Sequence, residues 1–586
     1  MFELEQDKIG EKIQSYLKDH SLPQVDLQWM RIPFSAHWGI STSFFQLAAE
    51  EARQNNQKLN VGKRAQEIAE GVSKYLGDLS GFEKIEAVKG YLNLYFSSED
   101  YARRVVDQVL EQGEKFGCGS DIGERIMVEF SQPNTHKAFH VGHLRNVILG
   151  HAMCNLLESA GYDVVRANYI GDIGLHVIKW LWNYRKHHAG ELPGEDKTRW
   201  MGDIYSEADK YFAEDADVEA EVRELFGLWD RQEAEVVALW KETRQWSLDG
   251  FDQVYDILGV RFDKIYFESE VEDSGKEMVN DLLAQGLARD ERPDGAVFIP
   301  LDEILELKEK YRVLVILRSD GTSLYSTKDL SLAVKKFEEY QLDRSVYVID
   351  VRQSLYMQQI YKTLELMGFS WAKQCYHLAY EIVNLPGNVT MSSRDGTVVM
   401  LDDLIKEATD RALAIVEVKN PDLAEEQKEK IAHAVALGAI KYSMLSRDNT
   451  KVVTFDWEVA MDFNGQAAPY IQYAYVRAGS ILRKAGIDLP ESLPFTDELA
   501  SAEIELVELI SRLPGEIQRA AREYRPLYIA NLAYELAKAF NDFYNQCHVL
   551  KAEDTLRLQR LRLVAAARQA IGNALTQMGI IAPDAM

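Results

Sequence analysis

A chain of 586 residues, 46% hydrophobic and 27% charged, is too long to close around one core and reads as several ordinary globular domains. Its formal charge of −27 argues against holding nucleic acid with the surface as a whole, because neutralised phosphates supply most of such affinity; an RNA contact would need a local basic face. No run of about eighteen apolar residues is present to cross a membrane, the start MFELEQDKIGEKIQSYL has no apolar signal core, and Cys118, Cys154, Cys375 and Cys547 have neither disulfide nor zinc-ligand spacing, so a cytoplasmic chain with no bound metal is expected.

Residues 1–118 form the first predicted module. Helical periodicity over Ile9–Leu17, Phe44–Ala52 and Lys63–Tyr75 precedes the alternating run IEAVKGYLNLYF (Ile85–Phe96), a pair of strands turning at Lys89-Gly90. The expectation is a small α+β domain. From 119 to 410 the pattern changes to strands alternating with helices. Ile126, Met127 and Val128 make an apolar strand, and Leu144, Val147, Ile148, Ala152 and Leu156 recur at helical spacing up to Gly161; the next apolar run is Val164–Ile170. This is a βαβ unit of a parallel sheet, whose ligands bind beyond the carboxyl ends of the strands, where Glu129 to His143 lie. His140-Val141-Gly142-His143 sets two imidazoles around a glycine where a helix starts, so backbone N–H groups, the helix dipole and ring donors can converge on phosphate. Such a tetrapeptide also arises by chance.

A charged helical insertion is predicted over about 186–250, packed by Trp200, Trp229, Trp240 and Trp246. The sheet resumes with LGVRFDKIYFESE (Leu258–Glu270). Val313–Phe337 then gives an apolar strand, the turn Ser319-Asp320-Gly321-Thr322 and a helix on which Tyr325 and Asp329, four apart, share a face. The strand Ser345–Val351 runs into Asp350-Val351-Arg352-Gln353, and TMSSRDGTVVMLDDLI (Thr390–Ile405) is a turn leading into a helix at Asp402. Residues 411–586 read as helices throughout. Arg512 to Arg568 hold ten basic side chains against six acidic ones, a candidate basic face.

The string SQPNTHKAFHVGHLRN (Ser131–Asn146) resembles the HIGH signature of class I aminoacyl-tRNA synthetases in the form found in arginyl-tRNA synthetases. LGVRFDKIYFESE, the SDGTxxYxxxD pattern from Ser319 to Asp329, and Pro469-Tyr470-Ile471-Gln472-Tyr473-Ala474 are similar to the same family, in family order. The resemblance implies a multidomain α/β protein: a class I Rossmann-like parallel-sheet catalytic core, an N-terminal α+β domain that contacts tRNA, and a C-terminal all-α anticodon-binding domain. It implies ATP-dependent activation of L-arginine to arginyl-adenylate, transfer to the 3′ end of tRNA(Arg), Mg²⁺ accompanying ATP, activation that needs bound tRNA, and a monomer. Glu129 and Asn134 would hold the substrate's amino group and carboxylate, Tyr325 and Asp329 its guanidinium, with Gln353 a further arginine contact. A planar cation with five donors suits an aromatic face and a carboxylate.

His140, Gly142 and His143 would bind ATP, together with Met391, Ser392, Ser393 and Arg394 of the second signature, where Thr390 replaces the usual first lysine. Lys137, just ahead of the first signature, would compensate and act with His140 and His143 in catalysis. Tyr470, Gln472, Tyr473 and Arg477 would contact tRNA. The chain departs from the family at His136 and Ala138, usually alanine and proline, which implies a looser loop; at Tyr356 and Met357, usually His-Phe, which puts contacts from that turn in question; and at Ala468, often glycine. Two other readings stay open: a non-catalytic tRNA-binding paralogue, favoured by Thr390, Tyr356 and the acidic balance, and another class I ligase that adenylates a carboxylate, which Tyr325, Asp329 and the C-terminal helices disfavour.

Overall fold

The computed structural model describes residues 3–586 except 33–37, 55–58, 140, 386–388, 391–399 and 496–497. Two compact units divide it, one of Met1–Phe116, Ala474–Gly515 and Glu535–Asn573, the other of Gly117–Tyr473, Glu516–Tyr534 and Ala574–Met586.

The first unit carries an antiparallel sheet in the order Trp29–Arg31, Gly39–Ser43, Tyr91–Phe96, Phe82–Val88. Its hairpin turns at Lys89 and Gly90, both at positive φ (50° and 83°), as a tight two-residue turn between right-twisted strands requires. Gln66 accepts from the Gly90 N–H at 2.7 Å, and its helix, Val61–Leu76, buries Ala65, Ile68, Ala69 and Val72. The helix Ser98–Gln112, capped by Ser97, buries Tyr101, Ala102, Val105, Val106 and Val109. Segments from the far end of the chain complete this unit: Tyr101 donates to Ser511 at 2.8 Å, and the Asn573 amide donates to the carbonyls of Gly113 and Phe116, each at 2.9 Å.

The second unit is built on a five-stranded sheet in the order Cys375–Tyr380, Arg344–Asp350, Arg125–Glu129, Asp163–Ile170, Lys264–Phe267, every neighbouring pair parallel. Chain order runs outward in one direction from Arg125–Glu129 and then returns to its other side with Arg344–Asp350. The topological switch point is therefore the crevice beyond Glu129 and Asp350. The helix Val141–Ala160 crosses over from the first strand to the second, and Gly161 stops it at φ 105°. Most of its residues are buried, Leu144, Val147, Ile148 and Leu156 among them, and Arg145 lies among carbonyls that its guanidinium satisfies, including Ile382 at 3.3 Å and Lys451 at 3.1 Å.

Four helices, Leu175–His187, Lys197–Glu214, Ala216–Asp230 and Ala234–Leu258, form the inserted block around Trp180, Trp182, Val222 and Trp240. The run Leu314–Leu317 is a strand, as its apolar pattern predicts, but it does not join the parallel sheet. It pairs antiparallel with Val297–Ile299, which pairs with Arg289–Asp290, in a separate three-stranded meander. Beyond it the helix Tyr325–Tyr340 returns to the parallel sheet, placing Leu332 and Phe337 in a cluster with Met127, Ala167 and Tyr266. Leu401–Lys419 and Glu425–Leu445 follow as a helical pair. No helix among the described residues is long and apolar enough to cross a membrane.

Candidate active site

A cavity of about 400 Å³ opens at the switch point. Glu129, at the carboxyl end of its strand, forms the floor. Its Oε1 accepts from Gln132 at 2.9 Å, and its Oε2 is paired with the buried ammonium of Lys336. The loop that follows is contorted: Ser131, Gln132 and His136 all stand in the left-handed region, at φ 76°, 49° and 61°. Such a conformation disfavours side-chain-bearing residues and persists only where the surroundings over-determine it. Here they do. Asn146 accepts from the Ser131 N–H at 2.6 Å, Asn168 from the Gln132 N–H at 3.1 Å, and Ser247 from the His136 N–H at 2.9 Å. The buried His136 ring is held between the hydroxyls of Thr135 and Thr243, and burial keeps it neutral, far below the usual histidine range. The looser loop expected from His136 is thus replaced by one that is pinned. Asn134 bridges to Gly171, where a Cβ would lie 2.3 Å from the Asn134 Oδ1, so glycine is required for that close approach.

The opposite wall comes from the helix Tyr325–Tyr340. Tyr325, Asp329, Leu332 and Lys336 follow one another along a single face and all line the cavity. Tyr325, 61% exposed, stands at its mouth. Asp329 accepts a hydrogen bond from the Tyr356 phenol; burial pushes its carboxyl up to about 7, against the pull of that donor, with Glu129 raising it further. Glu268 is also raised, chiefly by burial, and shares the Lys328 ammonium (2.8 Å) with Glu272 (3.0 Å). Gln353 closes the far side from a short turn that Asp350 fixes by accepting the Arg352 N–H at 2.8 Å.

Glu129, Asn134, Tyr325, Asp329 and Gln353 therefore line one cavity, although they lie up to 224 positions apart in sequence. Tyr356 and Met357 line it too, despite replacing the family's usual pair. Sequence reasoning missed Gln132, Tyr169, Glu268, Lys336 and Tyr347. Of these only Lys336 carried a readable signal, the continuation of the Tyr325–Asp329 face by seven residues.

The nucleotide residues are placed less completely. Gly142 and His143 lie in the first turn of Val141–Ala160, with the His143 ring 5.0 Å from that of Phe139. His140, Met391, Ser392, Ser393 and Arg394 lie outside the described residues. Lys137 does not line the cavity: its ammonium sits 4.9 Å over the Tyr205 ring of the inserted helix Lys197–Glu214. Burial lowers its basicity, Asp209 opposes that, and Lys179 adds to it.

Of the expected tRNA contacts, Tyr470 packs at 5.6 Å from Tyr534, Tyr473 lies under the Lys419 ammonium, and Arg477 donates to Asn541 at 2.7 Å beside the Tyr544 ring. Gln472 has to be corrected. It is fully buried, with its amide donating to the carbonyls of Ala434 (3.1 Å) and Ile581 (2.7 Å), so it packs helices together and has no face to offer RNA. The basic balance of Arg512–Arg568 is likewise no simple surface: Arg562 is wholly buried, Arg560 pairs with buried Glu503, and Arg512 and Arg519 pair with acids on their own helix.

A parallel sheet in this order, the HxGH sequence leading into its first crossover helix and its crevice closed by a helix bearing Tyr325 and Asp329, defines a class I aminoacyl-tRNA synthetase. The family model for the catalytic domain of class I tRNA synthetases (R) matches residues 105–457, and that for the DALR anticodon binding domain matches 471–586. The chain belongs to the arginyl-tRNA synthetase family, and it is an arginine–tRNA ligase that uses ATP as substrate. It is 35% identical to the arginine–tRNA ligase of Clostridium perfringens over 520 residues, 88% of this chain and 89% of that one. It is 33% identical to that of Bacteroides fragilis over 599 residues, 97% of each. Among solved structures it is similar to the arginyl-tRNA synthetase of Thermus thermophilus, with a TM-score of 0.81 and 28% identity, covering 99% of this chain and 100% of that one. The arginyl-tRNA synthetase from Plasmodium falciparum, 19% identical, shares the fold at a TM-score of 0.77 over 99% of both chains.

Proposed function

We propose that the cavity at the switch point is the arginine site. Glu129 and Asn134 take the substrate's amino and carboxylate end, Asp329 and Tyr325 its guanidinium, and Gln353 orients it between them. The observation that carries this reading is the gathering of all five residues around one acid-lined space of the right size for a single amino acid. The arginine carboxylate attacks the α-phosphorus of ATP, the bond to pyrophosphate breaks, and a 3′-terminal ribose hydroxyl of tRNA then displaces AMP from the mixed anhydride. Positioning and electrostatics suffice, and no protein nucleophile is needed. His140, His143 and Lys137 would meet the phosphates, with Gly142, Met391, Ser392, Ser393 and Arg394 against the nucleotide.

Mg²⁺ would arrive on the triphosphate: among the described residues no group of three or more His, Cys, Asp or Glu is arranged to hold a metal, whereas the phosphates supply the oxygens it prefers. Residues 1–118 and 411–586 would contact tRNA, residues 119–410 carrying the catalysis, with Tyr470, Tyr473 and Arg477 among the anticodon-domain contacts. The chain would work as a monomer in the cytoplasm, a reducing compartment that suits its four free thiols.

Pyrophosphate exchange with each of the twenty amino acids, with and without tRNA, tests the reading. Exchange with arginine alone, and only in the presence of tRNA, is expected. Exchange with a different amino acid would overturn the pocket assignment, and tRNA binding without any exchange would point to the non-catalytic alternative.

A further inference from the structure

The carboxylate facing the guanidinium position is not an isolated group. Asp329 projects from the helix Tyr325–Tyr340, and the phenol of Tyr356, on the facing helix Ser354–Leu366, donates a hydrogen bond to its Oδ2. Both residues line the cavity. A phenol bound to one carboxylate oxygen fixes the plane of the carboxylate and favours its ionised form. We propose that Tyr356 is a positioning residue for the substrate's guanidinium: it holds Oδ2 of Asp329, leaves Oδ1 to the substrate, and eases the loss of the Asp329 proton that arginine binding requires. The inference rests on reading this cavity as the arginine site and assigns the residue that tunes it.

The charges around Asp329 fit this role. Glu129 on the first strand of the parallel sheet and Glu268 after the third both oppose a further negative charge. Lys336, on the Asp329 helix, favours it but is engaged by Glu129, and Lys328 on the same helix is held between Glu268 and Glu272. Tyr325, Tyr169, Tyr347 and Tyr361 bring only phenols, each raised above the usual tyrosine range and so neutral near pH 7. Burial and the two glutamates push Asp329 up to about 7, and the Tyr356 donor is the largest influence holding it down. Near neutral pH the empty site therefore holds Asp329 partly protonated. Guanidinium stays charged at any such pH, so on binding the carboxyl proton passes to solvent and the carboxylate pairs with the cation.

The sign follows directly. Below about pH 7 a proton competes with arginine, so KM for arginine rises as pH falls, approaching tenfold per unit. Removing the phenol removes a group that stabilises the anion, so the same rise begins at higher pH. Aminoacylation by the full-length protein, with KM for arginine followed from pH 6 to 9, tests this. Tyr356→Phe is expected to move the break upward by about one pH unit, raising KM about fivefold at pH 7 and little at pH 9, with kcat and KM for ATP changed less than about twofold.

A Tyr356→Phe effect that is equal at every pH, or absent, would overturn the proposal, because mere packing would not titrate. Asp329→Asn is expected to abolish the break; if it leaves KM for arginine unchanged, it is the arginine-site reading itself that fails. Should Tyr356→Phe not fold, calorimetry of arginine binding to the unmodified protein at pH 7, in two buffers of different ionisation heat, decides the matter. Release of a fraction of a proton supports the coupling, and none refutes it.

Discussion

At the scale of single residues, Lys137 presents the sharpest contrast between place and role. Its ammonium rests over the Tyr205 ring rather than in the arginine cavity, and burial beside Lys179 keeps its basicity low. A cation so poorly compensated gains most when anionic phosphate arrives, which is the property a phosphate-binding lysine needs. Lys137→Ala is expected to lower pyrophosphate exchange about 10²- to 10³-fold while leaving the tRNA dissociation constant unchanged. Near-normal exchange would show that another group neutralises the phosphates. Gly171 offers a second test, this time of geometry. A Cβ there meets the Asn134 Oδ1 at 2.3 Å, so Gly171→Ala should push Asn134 aside and raise KM for arginine about ten- to a hundredfold, with circular dichroism unaltered. Part of this pocket was legible because Glu129 ends a strand and Tyr325 and Asp329 share a helix face, whereas Asn134 and Gln353 were marked by the family resemblance alone, Gln353 closing a short turn beyond its strand. Gln472 was not legible, since sequence periodicity ranks faces of a helix but does not say which face another helix will cover.

At the scale of elements, the inserted helix Ala234–Leu258 does more than fill space. Thr243, Ser247 and Tyr255 lie four and eight residues apart along it and reach the two ends of the strained loop: Thr243 and Ser247 hold His136, and Tyr255 meets the Ser131 hydroxyl at 2.7 Å and Asn168 at 3.0 Å. Three side-chain-bearing residues in the left-handed region cost about 1–3 kcal/mol each, and such a loop relaxes when its supports go. Thr243→Val leaves the His136 Nε2 without its partner in a dry site, a loss of about 1–3 kcal/mol. The expected result is a fall in exchange kcat of about tenfold or more, largely restored by Thr243→Ser. Equal kcat in the valine variant would mean that the loop needs no brace. The existence of this block was readable from its charge and its tryptophans. Its hold on the signature loop was not, because the contact joins residues 107 positions apart through one imidazole. The same limit explains Leu314–Leu317, whose apolar run names a strand but not the sheet that receives it.

At the scale of the whole molecule, the N-terminal 116 residues fold into one unit with Ala474–Gly515 and Glu535–Asn573, and an ion pair within it records the dependence. Arg562, from the helix Asp554–Gln577, has no solvent exposure; its guanidinium lies 2.8 Å from the Asp107 carboxylate on the helix Ser98–Gln112 and donates to the Glu491 carbonyl at 2.6 Å. Asp107 also accepts from Ser492 at 2.6 Å and from Arg103 at 3.3 Å, so three separate stretches of sequence meet at one carboxylate. Taking two charges out of water is costly, and such a pair adds little over apolar residues of the same size; breaking it leaves one charge stranded. Arg562→Met is therefore expected to destabilise this unit by about 3–5 kcal/mol, seen as a lower thermal midpoint and as early proteolysis within residues 1–116. The double replacement Arg562→Met with Asp107→Leu should recover most of that loss, because no unpaired charge remains. If the single and double variants melt alike, the lost stability belongs to packing of the arginine stem rather than to its charge. Activity should follow the same order: tRNA-dependent exchange and transfer to tRNA should both fail in Arg562→Met at a temperature where the destabilised unit has begun to open, and the double replacement should restore them together.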